Sequence, residues 1–342
     1  MSDVVTFGEA MIRLSPPGFQ RLEQTTSLDL HIGGSELNVA AGLARLGVKS
    51  TWVSRVPHNA LGRLIENRVR QTGVDTSHLI CADEGRLGLY FVEFGAAPRP
   101  SSVLYDRTHS AFCMIRPDQI DWPSVFAGAK WFHVSGITPA LSDSAATVTR
   151  QAMQAARAAG LTVSYDLNYR SKLWPLEKAR AVQEPLMEFV DMLITAEGDA
   201  ARMFDVHTKS QAQEHEFAAL NAESYKEVAQ RLQQRFGFSA VALTLRENPL
   251  VWRNTFTAIA YADGRCYEDV TYDVEIVDRI GTGDAFCAGF IYGCLVKQSY
   301  EAAVRYGNAF AALKHSHPGD FNWATLEEVE SLLRGAALRI AR

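Results

Sequence analysis

The stretch VDRIGTGDAF at residues 277–286 decides how the whole chain is interpreted. Two glycines, Gly281 and Gly283, flank Thr282 and come directly before Asp284, and a long apolar run follows. Glycine adopts backbone angles that a side chain forbids, so we expect a tight turn here and a buried helix after it. Backbone N–H groups in such a turn, together with the positive end of the helix, form a site for an anion.

Asp284 in this stretch has two interpretations. Aspartate is a common N-cap in any protein, because its carboxylate accepts hydrogen bonds from the first N–H groups of a helix. A carboxylate next to a bound anion is repelled, however, unless it has a function there. Accepting a proton from an attacking hydroxyl group is such a function. The residues alone leave both interpretations open.

The composition is typical of a globular protein of 342 residues, with 47% hydrophobic and 21% charged residues. A net charge of −5 gives no reason to expect nucleic acid or an anionic membrane as a partner. We find no apolar run of transmembrane length and no signal segment, and we expect a cytoplasmic protein. The five cysteines are scattered and form no Cys-x-x-Cys pair, which suits a reducing compartment without a zinc or redox motif.

Strands and helices alternate over most of the chain, which predicts right-handed crossovers and a mostly parallel sheet. Residues 175–190 are expected to form one of the helices. Ligands of such sheets lie beyond the carboxyl ends of the strands, where Asn168, Arg170, Thr244 and Arg246 are found. The main predicted strands are residues 3–7, 50–56, 130–134, 162–166, 191–195 and 240–245.

A second kind of structure is predicted between residues 86 and 111. Residues 87–94 and 103–107 are strand-like and are separated by a Pro- and Ser-rich turn, so they predict a β-hairpin. Together with a half-exposed strand at residues 27–32, this hairpin is expected to form a small separate sheet, a lid over a site. Exposed aromatic and arginine side chains are common on any strand, so function is one of two explanations for them. The side chains in question are Tyr90, Tyr105 and Arg107.

A second glycine turn, GGSELN at residues 33–38, opens a helix rich in small residues. The paired glycines again allow the backbone to approach a neighbour closely. Asn38 lies one turn into the helix, where its side chain can reach back over the glycines. A glycine turn before a well-packed helix would explain the same residues without any ligand.

The stretch GTGDAFCAG at residues 281–289 resembles the C-terminal motif of the ribokinase-like (PfkB) sugar kinases, and residues 33–38 resemble their N-terminal motif. The resemblance covers nearly the whole chain in element order. It implies a three-layer αβα fold with a mostly parallel central sheet and a small β-sheet lid. It further implies one kinase domain over residues 1–342, with lid segments at about 12–32 and 86–111, and it implies ATP and Mg²⁺ as cofactors.

In that family the glycine turn is the anion hole for the transferred phosphoryl group, and the aspartate is the base. Two residues depart from the commonest motif: Arg279 stands where a small residue or Thr is usual, and Thr282 where Ala or Gly is usual. The Gly-x-Asp that usually follows the second main strand is replaced by PHNALG at residues 57–62. The resemblance assigns catalysis to Gly281, Thr282, Gly283 and Asp284.

Four further segments resemble the branch of this family that phosphorylates 2-keto-3-deoxygluconate at its 6-hydroxyl with ATP. These segments are residues 7–17, 56–62, 166–170 and 313–321. The resemblance implies a substrate-binding set of Gly34, Asn38, Tyr90, Tyr105, Arg107, Arg170 and Asp320. It implies a nucleotide-binding set of Asn168, Arg170, Thr244, Arg246, Gly281 and Gly283.

The expected magnesium site differs from the family pattern. The family's Asn-x-x-Glu appears here as AEGD at residues 196–199, so the resemblance leaves Glu197 or Asp199 to hold Mg²⁺ through water. The arginines agree with an acidic sugar, because a guanidinium group can bind both oxygens of a carboxylate.

Three alternatives remain open or are disfavoured. A kinase of the same fold for a neutral sugar, such as fructose or ribose, or for a nucleoside is the nearest alternative. A sugar-binding regulator without turnover is another. A dinucleotide-binding oxidoreductase is disfavoured, because residues 281–284 lack the third glycine of that motif and no acidic residue follows a strand at the required distance. An exposed lid sheet could also pair with that of a second copy to form a homo-oligomer.

Overall fold

A computed structural model describes residues 2–207 and 222–335, apart from the side chains of residues 197, 222–223 and 247–249. The strands in these ranges are β1 (Val4–Phe7), β2 (Met11–Ser15), β3 (Asp29–Gly33), β4 (Ser50–Pro57), β5 (Leu79–Ala82), β6 (Gly88–Glu93), β7 (Ser102–Asp106), β8 (Trp131–Ser135), β9 (Thr162–Asp166), β10 (Met192–Ala196), β11 (Ala240–Leu250), β12 (Arg253–Ala262), β13 (Arg265–Glu268) and β14 (Tyr272–Glu275). The α-helices are α1 (Ser35–Arg45), α2 (Ala60–Gln71), α3 (Trp122–Val125), α4 (Asp143–Ala158), α5 (Leu176–Gln183), α6 (Glu197–Phe204), α7 (Ala222–Phe236), α8 (Thr282–Tyr292), α9 (Tyr300–Lys314) and α10 (Leu326–Leu333).

The main sheet has the strand order β13-β12-β11-β10-β9-β8-β1-β4-β5, and β14 also pairs with β12. All pairs from β11 to β5 are parallel, whereas β12 runs antiparallel to β11, β13 and β14. Strands such as β1 and β8 are buried along their whole length, as parallel strands covered on both faces are. The predicted mostly parallel α/β sheet is therefore confirmed.

Helices cover both faces of this sheet and give three layers. On one face, α4, α5, α6 and α7 pack against a core that includes Phe7, Phe132 and Leu193. On the other face, α1, α8, α9 and α10 enclose a second core with Phe256, Phe286 and Phe310. Parallel strands end at the same edge of a sheet, so loops from both layers meet there.

The smaller sheet has the order β3-β2-β6-β7. Its hairpin β6–β7 is antiparallel, as the sequence predicts, and β3 joins it through β2. Strand β2 is not predicted from the sequence, because both of its faces are largely covered and it lacks the alternation of a half-exposed strand. The small sheet forms a lid over the carboxyl ends of the main strands.

One predicted helix is divided. Residues 175–190 form α5 as far as Gln183, followed by a 3₁₀-helix at Glu184–Phe189. Pro185 lies in the first turn of this second segment, and proline has no N–H group with which to continue an α-helix. Among the residues described, no helix has the length and apolar character needed to cross a membrane.

Candidate active site

The carboxyl ends of the parallel strands and the lid enclose one cavity of about 280 Å³. Every site residue predicted from the sequence lines this cavity except Glu197, whose side chain lies outside the described residues. The lining comes from the ends of β9, β10 and β11, from the first turns of α1 and α8, and from lid strands β6 and β7. The fold thus brings together segments that are far apart in the chain.

The glycine turn forms the N-terminus of α8. Gly281 is its N-cap with φ of 82°, and a Cβ at this position would overlap the carbonyl oxygen of Asp320. In the described part of the chain, the amides of Gly283 and Asp284 donate to no protein oxygen. Two amide donors therefore remain for a ligand at the positive end of the helix.

The backbone conformation of Gly283 differs from the one that the sequence predicts. Its backbone is helical, without positive φ, so unusual backbone angles do not explain the glycine. A Cβ at this position would meet no atom within 4 Å, and the residue lines the cavity. Glycine here leaves the space in front of the amides open for a ligand.

Asp284 connects the first turns of two helices. One carboxylate oxygen accepts a hydrogen bond from Ser35 Oγ at 2.7 Å, and the other accepts one from Asn38 Nδ2 at 2.6 Å. The residue is 9% exposed, and burial raises the pKa of its carboxyl group to about 6, although the two donors and Arg170 act in the opposite direction. The carboxylate is therefore held by neutral donors and titrates near neutral pH.

Arginines occupy another side of the cavity. Arg170 and Arg246 lie there with Thr244, as predicted, and Arg279 joins them although it was not assigned to the site. Arg246 lines the cavity. Burial by the surrounding protein lowers the pKa of its guanidinium group, and the nearby charges of Arg170 and Arg279 lower it further. Like charges gathered in one place form a site that a polyanion would stabilise.

Acidic side chains lie next to these arginines. Burial, with the charge of Asp284, raises the pKa of Asp166 to about 8, and burial also raises the pKa of Asp199. Asn168 has φ of 37° and donates from Nδ2 to Asp166 at 3.3 Å. No group of three or more metal-ligating side chains occurs in the described ranges. One or two carboxylates with water and phosphate are nevertheless a usual setting for Mg²⁺, and Asp166 and Asp199 fit it.

The lid contributes an aromatic pair and an arginine. The rings of Tyr90 and Tyr105 stack with centroids 5.8 Å apart. Arg107 lies at the cavity wall, where its Nε donates to Glu9 at 2.9 Å and Nη2 forms an ion pair with the same carboxylate. Glu9 is an unpredicted partner, so Arg107 presents only part of its guanidinium group to a ligand.

A buried ion-pair cluster lies behind the glycine turn and was missed by sequence reasoning. Arg13 of β2 is 1% exposed and pairs with Asp278 at 2.6 Å and Asp320 at 2.7 Å. Burial opposes its charge, but the two aspartates raise the pKa of Arg13. The hydroxyl group of Tyr90 also donates a hydrogen bond to Asp320. Asp320 belongs to the predicted substrate-binding set, and each of its carboxylate oxygens already has a protein partner.

Asp278 ties this cluster to the turn itself. Its carboxylate accepts hydrogen bonds from the amide of Ile280 at 2.9 Å and from the amide of Gly319 at 3.0 Å. In the sequence, Arg13 interrupts the otherwise apolar segment at residues 11–14, which indicates a buried arginine. A buried arginine requires acidic partners. The sequence did not identify those partners.

Glu36 is a second unpredicted residue of the cavity wall. It is 1% exposed and accepts hydrogen bonds from the amide and hydroxyl of Ser135, both at 2.8 Å, and from Thr138 Oγ1 at 2.7 Å. Burial raises the pKa of its carboxyl group to about 7. Glu36 thereby joins the start of α1 to the end of β8 and fixes the position of Ser35 beside Asp284.

A cavity with free helix amides and a carboxylate on one side and guanidinium groups on another suits the transfer of phosphate. Together with the ribokinase-like fold around it, this places the protein among the small-molecule kinases. The sequence model of the pfkB family carbohydrate kinases matches residues 1–325, and the chain belongs to this family. It is a carbohydrate kinase.

Individual relatives are similar over nearly their full length. The chain is 38% identical to a 2-dehydro-3-deoxygalactonokinase from Haloferax volcanii, over 100% of this chain and 99% of the relative. It is 30% identical to a 5-dehydro-2-deoxygluconokinase from Bacillus subtilis, over 97% and 95%. The crystal structure of a 2-dehydro-3-deoxygluconokinase from Thermotoga maritima has a TM-score of 0.92 and 39% identity, and covers 97% of this chain and 98% of that one.

Proposed function

We propose that this protein transfers the γ-phosphoryl group of ATP to the 6-hydroxyl of 2-dehydro-3-deoxy-D-gluconate, with Asp284 as general base. The position of Asp284 carries the proposal. Its carboxylate lies in the cavity beside the free amides of α8 and is held by two neutral donors. A base with a pKa of about 6 is ionised at neutral pH and is a better proton acceptor than an ordinary aspartate.

The proposed reaction is an in-line displacement. Asp284 takes the proton of the attacking hydroxyl group as the O–P bond forms, and ADP leaves with the electrons of the broken bond. The amides of Gly283 and Asp284 and the positive end of α8 stabilise negative charge on the transferred group. Asn38 and Ser35 orient the base, and the lid excludes water. Catalysis of this kind consists mainly of positioning and electrostatics.

ATP and Mg²⁺ have suitable partners in the other half of the cavity. Arg170, Arg246 and Arg279 can neutralise phosphate charge, in agreement with the predicted nucleotide set to which Asn168 and Thr244 also belong. Asp166 and Asp199 would hold Mg²⁺ through water. Mg²⁺, when bound, would neutralise phosphate charge beside the γ-phosphoryl group.

The substrate class is supported by the relatives and by the charges. The three relatives described above are named for the phosphorylation of keto-deoxy sugar acids. Arg107 and Arg170 offer guanidinium groups to a carboxylate, and Tyr105 offers its hydroxyl group to a keto end, whereas the Tyr90 hydroxyl already donates to Asp320 and its ring stacks on Tyr105. Gly34 and Asn38 lie where sugar hydroxyls would approach.

The galactonate epimer is a second candidate substrate, because the relative with 38% identity is named for it. The two acids differ in configuration at one hydroxyl-bearing carbon, so they would use the same carboxylate contacts. A neutral sugar or a nucleoside would supply no carboxylate to Arg170 or to the part of the Arg107 guanidinium group that Glu9 leaves available. A regulator without turnover would gain nothing from a carboxylate beside the bound phosphate.

The decisive experiment is a substrate panel with an ADP-release assay. It contains the two 2-dehydro-3-deoxy acids, 5-dehydro-2-deoxygluconate, fructose, ribose and a nucleoside, each with MgATP. We expect kcat/KM to be highest for 2-dehydro-3-deoxygluconate, and phosphorus–proton coupling in the product to place phosphate on C6. Preference for a neutral sugar would contradict the substrate assignment, and binding without ADP release would contradict catalysis.

We further propose that two copies pair through the outer face of the lid. Leu30, Leu14, Phe91 and Leu104 form one apolar row across its four strands, and Leu30 is 43% and Leu104 60% exposed. Apolar rows on a small sheet favour association. Light scattering should give twice the chain mass, and Leu104→Glu should reduce it to one chain. A monomeric wild type would contradict this assignment.

We also propose that the chain works as one kinase domain in the cytoplasm. Two observations support this: the lid sheet is inserted between strands of the main sheet, and the five cysteines, all within the described ranges, form no disulfide. Subcellular fractionation with an antibody to the protein tests the location, and recovery from an extracellular fraction would contradict it.

A further inference from the structure

Lys314 is a buried cation that the proposed reaction does not use. It is the last residue of α9 and is 0% exposed. Its Nζ donates to the carbonyl oxygen of Asp278 at 3.4 Å and to that of His317 at 3.3 Å. Lysine is almost never fully buried without partners, so the position of this ammonium group requires an explanation.

Lys314 lies where two loops meet. The loop at residues 277–281 leads into the glycine turn, and the loop at residues 315–320 follows α9. The amide of Val277 donates to the carbonyl of His315 at 2.8 Å. Asp278 also binds the second loop through the amide of Gly319. The ammonium group therefore joins two loops three residues before Gly281, the N-cap of α8.

The charges around Lys314 come from every element that surrounds it. Burial is the main influence and lowers the pKa of Lys314 to about 8, while nearby carboxylates oppose this shift. The ammonium form predominates at neutral pH and is lost under mildly alkaline conditions. The facing groups are Asp278 before α8, Asp284 in α8, Asp320 and His317 in the second loop, His315 after α9 and Arg13 of the lid.

We propose that Lys314 is a positioning residue for phosphoryl transfer. Its ammonium group holds the carbonyls of Asp278 and His317 together and thereby keeps the amides of Gly283 and Asp284 directed at the transferred phosphoryl group. The inference rests on the proposed function. A neutral amine forms weaker hydrogen bonds to carbonyl oxygens than an ammonium group does, so the loops lose part of this link when Lys314 is deprotonated.

The lowered pKa separates this role from a simple structural one. Between about pH 8 and pH 10.5, the unfolded chain carries the proton at Lys314 and the folded protein does not, so folding stability rises with pH in this window. The fold as a whole thus disfavours the charge. Replacement of a buried charge by an apolar side chain of similar length is often neutral or stabilising. A lysine needed only for stability would behave in the opposite way.

The test compares Lys314→Met with the control Lys178→Met, which removes an exposed lysine of α5. We expect kcat of Lys314→Met to fall at least about tenfold, KM values to change by less than about threefold, and Tm to stay the same or rise. The alkaline limb of the wild-type kcat profile near pH 8 should be lost in Lys314→Met and kept in Lys178→Met. Burial also raises the pKa of Asp166 to about 8. If the alkaline limb came from Asp166 instead of Lys314, it would persist in both variants.

Chemical rescue provides a second measurement. Lys314→Ala leaves a gap lined by two carbonyl oxygens, and added ammonium ions should restore part of kcat there but not in Lys178→Ala. Wild-type kcat and an unchanged alkaline limb in Lys314→Met would overturn the proposal. Lower kcat with lower Tm and no rescue would also overturn it.

If Lys314→Met fails to fold, the wild-type profile still decides the question. A flat profile between pH 7 and pH 9 contradicts the proposal, and an alkaline limb together with rescue of Lys314→Ala supports it. Absence of any ATP turnover by the wild type would contradict the proposed function instead. Wild-type turnover with an unaffected Lys314→Met contradicts this inference alone.

Discussion

Two groups of aspartates contact the glycine turn and have different partners. Asp284 lies at the cavity and accepts hydrogen bonds from the neutral side chains of Ser35 and Asn38. Asp278 and Asp320 are buried and pair with Arg13 behind the turn, although Asp320 also borders the cavity. The same residue type therefore serves two purposes at one glycine turn.

The difference shows how the partner decides what a carboxylate can do. Neutral donors orient Asp284 without supplying a positive charge, so burial keeps the pKa of its carboxyl group near 6 and leaves it able to accept a proton. At Asp320 burial also raises the pKa of the carboxyl group, but Arg13 opposes this shift and holds the carboxylate in an ion pair. The aspartates beside Arg13 are suited to holding loops in place. Each prediction below tests one side of this comparison.

The largest effect is expected from Asp284→Asn. The variant keeps the shape of the side chain but removes the proton acceptor, and loss of a general base lowers kcat by about 10²- to 10⁴-fold. Binding of sugar and ATP, measured by calorimetry, should persist. Asp263→Asn in the exposed turn between β12 and β13 is the matched control. Near-wild-type turnover of Asp284→Asn would show that the base is another group.

The next largest effect should follow Arg13→Met. Removal of the arginine leaves two buried aspartates without their cation, and breaking one side of a buried ion pair lowers the free energy of unfolding by about 3–5 kcal/mol. Urea denaturation measures this change. Arg150→Met, which breaks an exposed pair with Glu188, should change the same quantity by less than about 1 kcal/mol. If both variants lowered the free energy of unfolding equally, the buried pairs of Arg13 would contribute no more to stability than a surface pair.

A smaller effect is expected at the lid. Arg107→Gln alone would leave the buried Glu9 without its cation, although Ser110 still donates to it, so the informative variant combines it with Glu9→Gln. This pair should raise KM for the sugar acid about 10- to 100-fold, the range of a lost charge-assisted hydrogen bond, and leave KM for ATP unchanged. Glu9→Gln alone is the control and should not raise KM for the acid. Unchanged sugar binding in the double variant would exclude Arg107 as a carboxylate ligand.

The smallest effect is expected from Ser35→Ala. The hydroxyl group of Ser35 lowers the pKa of Asp284, so its removal should raise this pKa and move the acid limb of kcat/KM to higher pH. The shift should be about one pH unit or less, with little change above pH 8. Ser27→Ala, at an exposed position between lid strands β2 and β3, should leave the profile unchanged. A shift to lower pH would contradict the assigned hydrogen bond.

The sequence predicts those parts of the site that depend on local pattern. The glycine turn, the helix behind it and the lid hairpin all follow from turn residues and from hydrophobic periodicity within a few positions, whereas the N-cap considered from the sequence was Asp284 and the structure has Gly281. Asn38 and Asp284 were placed in one site only because both motifs resemble those of one family. Without that resemblance, the alternation of strands and helices supports only an α/β fold.

The remaining parts depend on contacts between distant positions. Arg13 and Asp278 are 265 residues apart in the chain, and only the docking of the lid against the main domain brings them together. Glu9 was not recognised as the partner of Arg107 for the same reason. Buried ion pairs have no local sequence pattern, so a single sequence indicates that a buried arginine needs acids without showing which acids.

The attachment of Arg13 has a consequence for how the lid can open. Strand β2 follows β1 after residues 8–10 and is fixed to the main domain by two buried ion pairs. Lifting β2 would expose both pairs, whereas the exposed outer strand β7 is held to the main domain by a hydrogen bond from the exposed Lys172 Nζ to the carbonyl oxygen of Val103 at 2.9 Å. Sugar is therefore expected to enter by rotation of the lid about β2 as a fixed axis, with Tyr105 on the strand that travels farthest.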